Sequence, residues 1–465
     1  MNMSNSIFDW LNLIAGNVWL YGGAFFLVLG VLVFVHEWGH YYVAKLCGVK
    51  VESFSVGFGK ELFGFTDKAG TRWKFSLVPL GGYVKMFGDV DPASAKSADG
   101  VAEEDSEEIR PFTEEEKGVA FFSQPVLKRA AIVFAGPAIN FIFAILIMFL
   151  LYTFYGKPIT PPLSTSVIVD SAAYEAGFEP HDKILEIDGK EVLHFEDIRR
   201  AVAVGLDKTR VFTVLRDGEE VKLSATPKVE TIEDRFGFKH TKGFLGIISP
   251  GNAIDISKIT KIDDEAVQDV EETRAMIVER LGQPFTISMP GADGEDRLLI
   301  NPLPSLNKNI DNGDSQEFNV LVLESSREET FLKLPMGQAF TASLVETKNI
   351  TVSTMEALGQ IFVGSRSATE LGGIIRIGAI AGDMAKSGFI ALVAFTALLS
   401  INLGLINLFP IPMLDGGHLV FYAVESIKGS PLSETVQEYA FRVGLVILVG
   451  VMLFANLNDI VQLIR

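Results

Sequence analysis

Two histidines and a glutamate stand in His36-Glu37-Trp38-Gly39-His40, directly after an uncharged run from Trp10 to Val35. On a helix, residues four apart share a face, so His36 and His40 can bring their ring nitrogens to one ion while Glu37 sits beside it. Zn²⁺ favours tetrahedral N and O ligation, and a catalytic site keeps one position for water, so two histidines require one further protein ligand. The metal brings the pKa of its water to about 7, and a neighbouring carboxylate, here Glu37, can take the proton and return it. A chance HExxH more commonly sits on a soluble helix, whereas ionisable groups inside an apolar span are costly and generally functional.

The third ligand must come from the rest of the chain. Cys47 is the single cysteine, which excludes an internal disulfide and a Cys-rich metal site, so the ligands are His and carboxylate. In Asn402–His418, Pro410 and Pro412 cannot continue a helix. Irregular backbone at membrane depth is tolerated where it lines a protein-buried cavity. Asp415, the only acid between Asp383 and Glu425, is the best candidate. His418 competes with it, and Asp415 can also be read as a helix cap or an interfacial turn residue.

The elements that must position these groups are apolar spans. With 465 residues and 48% hydrophobic content, the chain has room for several membrane helices and soluble domains. The net charge of −18 and the lack of a basic cluster exclude a nucleic-acid partner. Uncharged runs place four spans, at roughly Trp19–Cys47, Ala130–Gly156, Ser387–Leu414 and Val443–Asn458. The fourth is short and must tilt little or let Arg442 snorkel. The N-terminus lacks the positive charges of a signal peptide. Lys45, Lys50, Lys128 and Arg129 border the first loop, which puts that loop in the cytoplasm and segment 157–386 outside. Spans one and three then end at the same face, where His36, His40 and Asp415 lie at similar depth.

Between the spans, Phe54–Met86 alternates apolar and polar residues and reads as strands. Asp89–Lys117, with eleven acidic and three basic residues, reads as a solvated loop. Span two opens with Gly136-Pro137-Ala138-Ile139-Asn140, where Asn140 needs a polar partner in lipid.

HExxH together with Asn407-xx-Pro410-xxx-Leu414-Asp415-Gly416 resembles the site-2 protease family of intramembrane zinc metalloproteases, in particular its bacterial regulator-of-sigma-E branch. The resemblance implies zinc on His36, His40 and Asp415, Glu37 as the catalytic acid-base, and Asn407 holding the substrate backbone. It also implies membrane-associated β-hairpins in which Gly57-Phe58-Gly59 and Pro79-Leu80-Gly81-Gly82-Tyr83 match, so that Gly57 and Gly59 join the substrate-binding residues. Asn140 falls in the family's GPxxN, with a packing role beside the site. Segment 163–228 resembles a PDZ domain, although His181 replaces the usual glycine before Asp182, and 245–334 resembles a degenerate second one.

The expected fold class is a multi-pass α-helical membrane protein with four transmembrane helices, membrane-associated β-hairpins and inserted PDZ-like domains. Its division is 1–50 (first span), 51–88 (hairpins), 89–128 (acidic loop), 129–156 (second span), 163–228 and 245–334 (PDZ-like), 336–386 (amphipathic outer-face helices), 387–416 (third span) and 440–458 (fourth span). The expected activity is zinc-dependent cleavage of a single-span membrane protein, such as an anti-sigma factor already trimmed by another protease, in the bacterial inner membrane. An inactive scaffold built on PDZ-like domains is the rival reading, and intact Glu37 and Asp415 argue against it. A metal transporter would string ionisable residues across the bilayer, whereas here they cluster at one depth.

Overall fold

The computed structural model describes residues 18–89, 100–102, 109–234, 236–250, 253–291, 294–308, 310, 320–323 and 330–464. Much of the acidic loop, part of the linker at 305–315 and part of 317–334 lie outside them. Among the described residues, four helices are long and apolar enough to cross a membrane. They are α1 (Val18–Leu46), α2 (Val126–Phe154), α7 (Phe389–Asn407) and α9 (Glu434–Ile464), and the other helices of eight residues or more are α3 (Phe195–Val204), α4 (Val270–Arg280), α5 (Met336–Val363), α6 (Ile374–Ser387) and α8 (Asp415–Lys428). At ~1.5 Å per residue the shortest, α7, reaches about 28 Å, close to a hydrocarbon core of ~30 Å.

Two span boundaries differ from the sequence reading. The third span stops at Asn407, and after a non-helical stretch a separate helix, α8 (Asp415–Lys428), begins at Asp415. The prolines and the missing backbone donors they bring account for the break. The fourth helix has 31 residues rather than the short apolar run alone. Its hydrogen bonding continues through the polar turn before Val443, where Arg442 pairs with Glu438 four residues earlier at 2.5 Å. Arg442 therefore has a partner on its own helix.

Helix α2 is the central post. Ala144 and Met148 pack with Ala397 and Ile401 of α7 in one apolar cluster, and the Ser400 hydroxyl donates to the Asn140 carbonyl at 2.8 Å. Helix α5 (Met336–Val363) also lies against this cluster through Ile350. It turns Ala339, Ser343 and Thr347 inward and leaves Phe340, Leu344, Val352 and Met355 exposed, a face suited to lipid. At the other end of α2, Arg129 donates to Glu425 of α8 at 2.5 Å and to the Gln124 carbonyl at 3.0 Å, with its guanidinium 5.0 Å from the Tyr422 ring centre. That buried pair fastens the helix that starts with Asp415.

After α1 the chain forms β1 (Val51–Thr66) and β2 (Arg72–Met86), an antiparallel pair. Val51 opposes Met86 and Val56 opposes Gly82, while Phe58 opposes Val78 and Thr66 opposes Arg72, with bulges between. The turn joining them is tied to the metal-motif helix, because Asp67 accepts from Tyr41 Oη at 3.2 Å and from Trp73 Nε1 at 3.1 Å.

Segment 157–386 carries two β cores. Phe178, Ile184, Phe212 and Val214 centre one, under a four-stranded sheet. Ile262, Ile277, Ile287 and Ile300 centre the other, under a six-stranded sheet. Strand Ser166–Ile168 pairs with both 247–248 and 298–300 in the second sheet, so the two cores share chain. His181 is half-buried with φ 73°, and its Nε2 bonds the Asn301 carbonyl at 2.7 Å. Its neighbour Asp182, fully buried, takes both arms of Arg216 at 2.7 Å. A hairpin at 228–244 reaches the membrane helices: Phe236 and Phe238 cluster with Tyr21 of α1, and Arg376 stacks over Phe238.

The Arg129–Glu425 pair leads to a test. Arg129→Met leaves the half-buried Glu425 carboxylate without a partner, which costs about 1–3 kcal/mol. Purified Arg129→Met should melt well below wild type in detergent, and the double replacement Arg129→Met with Glu425→Leu should recover most of the loss. An unchanged melting temperature in the single variant would contradict the anchoring role.

Candidate metal centre

His36 and His40 come from the C-terminal half of α1, and Asp415 from the first turn of α8. Their donor atoms converge. The two Nε2 atoms are 3.3 Å apart, Asp415 Oδ2 is 3.2 Å from His36 Nε2, and Asp415 Oδ1 is 3.5 Å from His40 Nε2. Tetrahedral zinc with bonds of 2.0–2.1 Å requires ligand atoms about 3.3 Å from one another. Each histidine nitrogen therefore stands about one tetrahedron edge from the other and from one oxygen of Asp415.

The hydrogen bonding agrees with a cation there. Asp415 Oδ2 is buried 3.2 Å from His36 Nε2 and makes no hydrogen bond, which leaves an acceptor that a cation would satisfy. His40 Nδ1 lies 2.9 Å from the Ile132 carbonyl, which only accepts. The proton thus sits on Nδ1 and Nε2 turns its lone pair to the centre, as a metal ligand must. These residues fit zinc by number, donor type and spacing.

Helix α2 permits this geometry by omission. A Cβ at Gly136 would collide with the His40 ring and come within 2.9 Å of His36 Cε1, so only glycine lets α2 approach the two imidazoles. One turn further along, the amide of Asn140 lies 2.9 Å from His36 Nδ1. The polar partner that Asn140 demanded in lipid is therefore a metal-motif histidine, a contact that residue type alone does not identify.

Glu37 stands against β2: a Cβ at Gly82 would lie 3.0 Å from Glu37 Cγ and 2.7 Å from Val33 Cγ1. Gly82 belongs to the Pro79–Tyr83 segment, which thus lies against Glu37. Gly57 and Gly59 hold φ of 93° and 86° on β1, where Gly57 packs closely on the carbonyls of Ser76 and Val78 and Gly59 faces open space. Asn407, the last residue of α7, places Nδ2 3.5 Å from His36 Nε2. Met413, with φ 91°, lies in the turn that delivers Asp415, a strained conformation for a residue with a side chain. His418 packs instead against Phe421 and Phe441, with the nearer ring centre at 5.3 Å, and is not one of the three clustered ligands.

Comparison with known proteins agrees with this chemistry. The model of Peptidase family M50 matches residues 24–451. A protein of Agrobacterium fabrum assigned by name to the zinc metalloproteases is 37% identical over 440 residues, 95% of each chain. A Brucella suis protein assigned by name to the same class is 39% identical over 436 residues, 94% of each chain. The regulator of sigma E protease of Haemophilus influenzae is 33% identical over 470 residues, covering 95% of this chain and 98% of that one. With its ligand triad, apolar helices and full-length similarity in accord, the chain belongs to Peptidase family M50, the membrane-embedded zinc metalloproteases.

Proposed function

We propose that this metalloprotease cuts the membrane-spanning segment of single-span proteins, with its centre towards the cytoplasmic side of a bacterial inner membrane. The observation that carries the reading is the meeting of two histidines inside an apolar span with Asp415, which follows the non-helical stretch 408–414 at the end of another apolar span. Basic residues Lys45, Lys50, Lys128 and Arg129 around the first loop support the orientation.

Zinc, when bound, supplies a Lewis acid for the scissile carbonyl and lowers the pKa of water to about 7. His36, His40 and Asp415 hold it. Glu37 takes the proton of the attacking water as the new C–O bond forms and delivers it to the amide nitrogen as the C–N bond breaks, which leaves a carboxylate and an amine. Asn407 offers a donor and an acceptor to the main chain of an extended substrate. A strand added to the edge of β1–β2 arrives beside the base, because Gly82 lets β2 lie against Glu37. Gly57 and Gly59 belong to this edge. The PDZ-like segments 163–228 and 245–334 filter out bulky ectodomains on the outer side. The substrate in this reading is of the anti-sigma-factor type, shortened beforehand by another protease, in line with a Haemophilus relative named for the regulation of sigma E.

Two tests follow. Glu37→Gln keeps the three ligands, so it should retain zinc while cleavage of a reporter span falls roughly 100-fold or more; equal cleavage by both proteins would refute the acid-base assignment. An extended substrate must first unwind, and a helix-interior proline costs about 3 kcal/mol of helix. Replacing Gly, Pro or Asn near the cut site of a reporter by Leu should therefore slow cleavage, and indifference to that change would remove the unwinding step.

A further inference from the structure

Asn140 takes no part in the chemistry above, yet it is fully buried in α2 with its amide against a metal-motif histidine. Its Nδ2 lies 2.9 Å from His36 Nδ1, and its Oδ1 has no partner. In that orientation the amide donates and Nδ1 accepts, so the neutral His36 ring must carry its proton on Nε2, the atom that faces His40 and Asp415. A protonated Nε2 cannot ligate zinc. A half-turn of the carboxamide reverses the pattern: Oδ1 then accepts from Nδ1–H, and Nε2 presents a lone pair to the centre. Either orientation leaves the other end of the amide unpaired, so the ion decides between them.

The rest of α2 is arranged for the ion-bound form. Ile132, Gly136 and Asn140 recur every four residues and share one face of the helix. The Ile132 carbonyl already fixes His40 as its Nδ1–H tautomer, at 2.9 Å, and Gly136 leaves space for both rings. Asn140 is the counterpart for His36. The Ser400 hydroxyl, bonded to the Asn140 carbonyl at 2.8 Å, ties this turn to α7, which carries Asn407.

We propose that Asn140 is the positioning residue of the zinc ligand His36, accepting its Nδ1 proton through Oδ1 when the metal binds and so fixing the ring's tautomer and orientation. The inference rests on zinc ligation by His36, His40 and Asp415. It requires an acceptor at position 140 and has no use for a donor. Asn140→Asp preserves size and acceptor, whereas Asn140→Leu preserves size alone.

The experiment uses the full-length protein in detergent, stripped of metal, with zinc affinity measured by competition against a chromogenic chelator and site geometry read from the visible spectrum of bound Co²⁺. Asn140→Asp should bind zinc within a few-fold of wild type with a matching Co²⁺ spectrum, while Asn140→Leu should weaken zinc about 10–100-fold at unchanged metal-free melting temperature. Wild-type affinity in the Leu variant, or a loss in a folded Asp variant as large as in Leu, would overturn the proposal. Should the Leu variant fail to fold, the Asp variant decides alone, because a donor role for Asn140 predicts that Asp loses the metal. Failure of the wild type itself to bind zinc would instead overturn the ligand assignment, which keeps the two readings separable.

Discussion

Two imidazole nitrogens and the two oxygens of one carboxylate, with neighbours 3.2–3.5 Å apart in a largely water-excluded interior, are the constraint to which the rest of the fold answers. A carboxylate removed from water costs several kcal/mol unless a counter-charge compensates it, and two imidazole nitrogens aimed at the same point add to the demand. A divalent cation meets it at once. The helices that carry these atoms need only be brought into register, and the packing of α1, α2, α7 and α8 does so.

The register depends more on what is left out than on what is added. Lipid offers no hydrophobic drive between helices, so association relies on close van der Waals contact and a few hydrogen bonds. Gly136 removes the side chain that would fill the metal centre, and Gly82 does the same for β2 beside Glu37. Polar atoms then appear in pairs: Ser400 with the Asn140 carbonyl, His40 with the Ile132 carbonyl, Arg129 with Glu425. Each bond joins two helices that pack around the centre.

Much of this could be read from residue order. HExxH specifies its own geometry, because a helix puts residues four apart on one face, and the two prolines before Asp415 announce the break that frees it. Where the reading fell short, the cause was an interaction across space. The end of α7 at Asn407 and the full length of α9 depend on hydrogen bonding that continues past, or stops within, an apolar run. The partner of Asn140 lies 104 residues away in the chain, and the strand at 166–168 pairs in a sheet whose other members lie far downstream. Hydropathy records none of these, since it describes what a segment prefers as neighbours and not which neighbour it meets.

The position of Asp415 at the head of α8 bears on how the protein is made. A ribosome delivers the chain from its N-terminus, and domains generally fold in that order. The two-histidine helix emerges first, and residues 157–386 follow before Asp415 leaves the exit tunnel. Until α7 and α8 dock on α2, a nascent or truncated chain holds two imidazoles and no completed centre. A metal site of this kind is therefore completed only when the last helices pack.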